Sequence, residues 1–127
     1  MDEEKIYRVE VTPSPRYIPD QSEPDDGNYV FAYTIAIRNT GTVPVQLIPR
    51  HWIIGDAGGE VQEVRGLGAI GQQPVLQPGE VFEYTNGCTL KTPVGTMKGS
   101  YRLMAADGTS FDAEIPEFTL AMPRVLH

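Results

Sequence analysis

A single cysteine, Cys88, stands in the 127 residues, so no internal disulfide is available and a reducing compartment fits. Only two histidines occur, His51 and His127. With no H-x-x-x-H or C-x-x-C spacing, the common nitrogen and thiolate metal sets are missing. Basic residues are in the minority: 10 Lys and Arg against 17 Asp and Glu give a formal net charge of −7. Nucleic-acid binding depends on Lys/Arg clusters, so no nucleic acid is expected as a partner, and anionic membrane surfaces are disfavoured too. No apolar run approaches the ~18 residues of a spanning helix, so no membrane insertion is expected. Met1-Asp2-Glu3-Glu4-Lys5 is polar and acidic, unlike a secretory leader, which points to a cytoplasmic chain. Serine hydrolysis lacks its G-x-S-x-G elbow, and kinase chemistry lacks a D-F-G.

What the chain has in quantity is glycine and proline, 13 and 11 residues, which favour turns over long helices. One stretch, Arg65-Gly66-Leu67-Gly68-Ala69-Ile70-Gly71, spells G-x-G-x-x-G. A dinucleotide site needs a strand before that motif and a helix opening at its last glycine, because the diphosphate rests on the helix N-terminus. Val61 to Val64 supply strand-compatible residues. Pro74 and Pro78 deny the helix, since an interior proline costs about 3 kcal/mol or more. Gly66, Gly68 and Gly71 are therefore read as backbone geometry, with an anion cradled by exposed N–H groups as the alternative. No cofactor is expected.

The rest of the chain alternates. Tyr7, Val9 and Val11 share one face, and Thr12 to Pro19 reads as an extended, edge-like segment interrupted by Pro13, Pro15 and Pro19. Asp20 to Asn28 is an acidic turn. Tyr29 to Asn39 is the strongest strand, with Tyr29, Phe31, Tyr33, Ile35 and Ile37 on one face. Asn39 to Thr42 is a turn. Val45 to Ile54 is a strand broken by Pro49, and Asp56 to Gly59 forms a hairpin loop into Val61–Val64. Val81 to Thr85 is a strand, Asn86-Gly87 a turn signal, and Lys91 to Gly95 another turn. Met97 to Ala105 and Phe111 to Ile115 flank the hairpin signal Asp107-Gly108. Pro116 marks a bulge or sheet switch before Phe118, and Met122 to His127 is a loose tail. Seven to eight strands at about 8–12-residue spacing imply an all-β, antiparallel sandwich of immunoglobulin or fibronectin type III kind, one domain over 1–127.

Several stretches together resemble one family. Arg50-His51-Trp52-Ile53-Ile54, Glu63 to Pro74, Leu76-Gln77-Pro78-Gly79-Glu80, Tyr84-Thr85-Asn86-Gly87-Cys88, Thr92 to Tyr101 and Phe111 to Pro123 look like the ApaG family. The departures are mild: Asn86 replaces a usual serine, and Thr89 the proline that tends to follow the cysteine. The resemblance implies a fibronectin type III-like sandwich and a bacterial protein named for a link to cobalt and magnesium resistance or efflux, also called CorD. In larger eukaryotic proteins the similar domain is attached to F-box proteins and to a polymerase-delta-interacting protein, as a protein-interaction module. No reaction is established for the family.

Candidate sites are few. Asp20, Glu23, Asp25 and Asp26 could offer oxygens to Mg²⁺, though without the EF-hand spacing; the bland reading is a solvated acidic loop. His51 beside Trp52 reads as structural. Cys88 reads as a small core or turn residue, since nothing places it near His51. The expectation is a non-enzymatic binding module for an unidentified protein, with Arg65, Asn86 and Lys91 as contact candidates. It would use the glycine loop, residues 84–95 and an unpaired sheet edge. The alternatives are a binder of a small phosphate-type anion at the glycine loop and a direct Mg²⁺ or Co²⁺ sensor.

Overall fold

The computed structural model describes residues 4–65 and 73–123, with the backbone alone for residues 49–52 and 62–65. Its strands are β1 (Val9–Tyr17), β2 (Tyr29–Asn39), β3 (Val45–Asp56), β4 (Val61–Arg65), β5 (Val75–Leu76), β6 (Val81–Leu90), β7 (Val94–Ala105) and β8 (Ser110–Ala121). Helix among the described residues is limited to two 3₁₀ turns, Pro19–Gln21 and Pro24–Asp26. Two antiparallel sheets form a sandwich. The smaller has the order β1-β2-β6; the larger has β4-β3-β7-β8, with β5 paired to the start of β3. Strand β1 packs over β8.

Period-2 patterning explains the layers, because alternate side chains of a strand point to opposite faces. On β2, Phe31, Tyr33, Ile35 and Ile37 are buried, while Ala32, Thr34 and Ala36 between them are half-exposed. Facing them from the larger sheet are Val45, Leu47 and Ile54 of β3, Met97, Tyr101 and Leu103 of β7, and Ile115, Phe118 and Leu120 of β8. Each such aliphatic or aromatic side chain contributes about 1.5–3 kcal/mol by leaving water. The one buried polar residue described, Asn39, is fully engaged. Its Nδ2 donates to the Val43 and Leu76 carbonyls at 2.8 and 3.0 Å, and its Oδ1 accepts from the Gly41 N–H at 2.9 Å. It thereby pins the 39–43 turn to β5.

Prolines shape the strands without ending them. The pairing of β3 with β7 shifts register between Pro49 and His51, so the expected break is a bulge within one strand. The expected irregularity at Pro116 is also a bulge, opposite the shift between Met97 and Gly99. Strand β1 starts at Val9 rather than Ile6 and continues through Pro13 and Pro15. The reason is parity. Thr40 N–H donates to the Arg8 carbonyl and Ile18 N–H to the Val30 carbonyl, at 3.1 and 2.8 Å. Even-numbered residues of β1 therefore bond to β2, and odd-numbered ones turn their backbone outward. Pro13 and Pro15 are odd, so neither removes a ladder bond.

The expected turn at Asn86-Gly87 is a correction: β6 runs unbroken through both, with Asn86 opposite Tyr33 and Gly87 opposite Ala32. Gly87 lacks the positive φ such a turn would need, whereas Gly108 of the 107–108 hairpin has φ 90°. Met122 is tied down by its N–H donating to the Pro93 carbonyl at 2.8 Å, so the tail is ordered at its start; residues 124–127 lie outside the described residues.

Candidate functional site

The inner face of β6 carries Phe82, Tyr84, Asn86 and Cys88, all half-buried. Around them gathers a polar seam between the sheets. The hydroxyls of Tyr84 and Tyr101 are hydrogen-bonded across it. The Asn86 side chain hydrogen-bonds the Tyr33 hydroxyl, and Cys88 lies in the same neighbourhood. Burial pushes the Tyr33 hydroxyl up to about 12; Cys88 adds to the rise and the Asn86 bond opposes it. Burial pushes the Cys88 thiol up to about 11. Burial also raises Tyr101, with Tyr84 acting in the same direction. All three are held protonated near neutral pH. The Tyr84–Tyr101 contact ties the two layers together across the seam.

The outer row of β6 has a different chemistry. Asn39 N–H donates to the Glu80 carbonyl at 3.0 Å, in register with the β2–β6 ladder. Even-numbered residues of β6 therefore bond to β2, and Val81, Glu83, Thr85 and Gly87 turn their N–H and C=O outward. No described strand pairs on that side. Edge strands of this kind accept further strands unless something blocks them. On β1, Pro13 and Pro15 remove two outward N–H groups. On β8, the Ala105 N–H to Thr109 carbonyl bond at 2.7 Å sets the parity, so Pro116 stands in the outward row, at the bulge, near exposed Asp112, Glu114 and Glu117. Strand β4 is described over Val61–Arg65, up to the limit of the described residues. Strand β6 has ten residues, no proline and no register shift.

Other features carry less. A shallow depression of about 320 Å³ on the outer face of the larger sheet is lined by Ile53, Lys98, Ser100, Glu114, Pro116 and Glu117. Its mixed charges gather no coherent ligand set. Among the described residues no group of three or more His, Cys, Asp or Glu could hold a metal ion.

The predicted residues disperse. Gly66, Gly68 and Gly71 lie outside the described residues, as does His127. From Gln73 onward the chain runs into β5, not into an α-helix. Arg65 ends β4 opposite His51 of β3. Asp20, Glu23, Asp25 and Asp26 are exposed on and beside the two 3₁₀ turns. Asn86 is a half-buried strand residue, so the 84–95 region begins as strand and becomes a turn only after Leu90. Lys91 is exposed, 3.7 Å from the Glu60 carboxylate. Asn86 and Cys88 share one face of β6, and the structure adds Tyr33, Tyr84 and Tyr101 around them. Tyr84-x-Asn86-x-Cys88 alternates with period 2, a signal that the Asn-Gly turn reading masks.

The ApaG domain family model matches residues 19–105. The Protein ApaG of Dechloromonas aromatica is 61% identical over 127 residues, covering 100% of both chains. That of Bordetella pertussis is 58% identical over 123 residues, covering 97% of this chain and 94% of its own. The crystal structure described as the ApaA protein from Bordetella pertussis superposes with a TM-score of 0.91 at 57% identity, over 95% of this chain and 98% of that one.

Proposed function

The chain belongs to the ApaG domain family, and on that premise we propose that it is a non-enzymatic protein-binding module acting in the cytoplasm. The observation that carries the reading is the contrast among sheet edges. Natural sheets blunt exposed edges with prolines or bulges, among other devices, and the edges of β1 and β8 carry them. The ten-residue edge of β6 does not. An unblunted edge gives a partner a ready row of backbone donors and acceptors. The protonated tyrosines and thiol of the inner seam support a structural role for that cluster. A link to cobalt or magnesium handling, which the family resemblance implies, would then run through the bound protein and not through a metal site on this chain. Affinity capture with the tagged full chain from its native cell tests this. The expected result is a protein that co-purifies and rebinds the purified chain as a binary complex. Failure to reconstitute any binary complex, together with substrate turnover by the purified chain, would overturn it.

A further inference from the structure

Resting on the module reading, we infer that the occupant of the β6 edge is an extended, cationic segment of another protein that adds as a further strand. Three features of the edge point to this. First, the outward N–H and C=O groups of Val81, Glu83, Thr85 and Gly87 are spaced as a strand ladder demands, and no bulge interrupts them. Secondly, the inward side chains Phe82 and Tyr84 are half-exposed at the sandwich margin, with ring centroids 6.0 Å apart. An added strand with apolar residues at alternate positions would cover them, and its intervening residues would face solvent beside Glu83 and Thr85. Thirdly, both ends of the edge are acidic. At the Val81 end lie Glu80 and Glu83, while Arg38 opposite Val81 is itself opposed by Glu10 on β1. At the Leu90 end, Gly27 lies against the Lys91 carbonyl, which brings the exposed Glu23, Asp25 and Asp26 to that corner. Lys91 there is already paired with Glu60. A segment with basic residues at both ends complements these charges. A second copy, itself carrying −7, does not. The acidic turn thereby acquires a role as a charge guide for a strand.

The test uses the isotope-labelled full chain and a short blocked peptide alternating valine and threonine with lysine at each end. A matched peptide carries glutamate at the ends. The lysine peptide is expected to shift the amide resonances of Glu83, Thr85 and Gly87 and to bind at least about tenfold more tightly than the glutamate peptide at low salt. Thr85→Pro removes one outward N–H and no bond to β2, and it should abolish the shifts while far-UV circular dichroism stays unchanged. Glu83→Lys, which leaves the backbone intact, should shrink the preference for lysine ends. Shifts located elsewhere, peptide binding that survives Thr85→Pro, or no preference between the peptides would overturn the inference. So would a concentration-dependent dimer that Thr85→Pro dissolves, because the occupant would then be a second copy. A captured protein whose binary complex survives Thr85→Pro leaves the module reading standing and removes this one.

Discussion

Strands β1 and β6 flank the same central strand, β2, yet they treat their open sides in opposite ways. Each bonds to β2 through its even-numbered residues and turns its odd-numbered backbone outward. On β1 the outward row contains Pro13 and Pro15; on β6 it contains Val81, Glu83, Thr85 and Gly87 without a proline. The β1 side is also closed by neighbours. Tyr7 stacks edge-on against Phe111, and its hydroxyl donates to Asp107. The difference teaches that the same residue parity puts prolines in the outward row on the sealed flank and none in the outward row of β6, where no described strand pairs.

The contrast can be broken with one residue type. Ser14→Pro places a proline in the even row of β1, where the N–H serves the ladder to β2. We expect a loss of about 1–3 kcal/mol, from the forfeited ladder bond and the β2 carbonyl left without its donor, read by urea unfolding, although prolines stand on both sides of it already. The next effect is alkaline. The folded-state pKa of Cys88 is raised from 9.0 to about 11 and that of Tyr33 from 10.0 to about 12. For groups raised in the fold, the unfolded chain releases protons first. Stability is therefore fully present below pH 9 and falls as pH rises towards 12, by at most about 1.4 kcal/mol per pH unit for each group. Equilibrium unfolding across that range should show the slope, and Cys88→Ala should flatten its lower part. A smaller effect sits at acid pH on the sealed flank. The Tyr7 hydroxyl, then the Thr109 amide and Lys5, hold the Asp107 carboxyl well below its usual range. A depressed carboxyl adds stability above its unfolded pKa of 3.8, and that stability is lost as pH falls below it. Asp107→Asn should flatten the acid limb in the same experiment. The smallest effect on stability belongs to Thr85→Pro, expected within about 1 kcal/mol, because it forfeits only the exposed 2.8 Å hydroxyl contact with Thr34. A loss as large as that of Ser14→Pro would erase the distinction between the two rows.

Much of the scaffold was legible because its signals are local. The alternation of Tyr29–Asn39 coincides with β2 to the residue, Asp107-Gly108 makes the hairpin, and Pro116 makes a bulge. The misreadings arose where long-range pairing overrides a local cue. Asn86-Gly87 suits a tight turn, but ten consecutive pairs with β2 hold it extended. The extended, edge-like reading of Thr12 to Pro19 agrees with β1 at its sheet's edge, while only the partner strand reveals that Pro13 and Pro15 occupy the row that bonds to nothing in β2. The polar seam was invisible for a related reason: Tyr33, Tyr84 and Tyr101 lie far apart in the chain and meet only when the sheets face each other. Which strands lie at a sheet edge depends on sheet order, which periodicity alone does not contain.

Amide hydrogen exchange along β6, measured on the free chain and on its complex with a captured partner, reads the outer row directly. The account predicts that Glu83, Thr85 and Gly87 exchange rapidly in the free chain beside protected Phe82, Tyr84 and Asn86, and become protected in the complex. Outward amides that are already protected without a partner, or that stay open when one is bound, would contradict it.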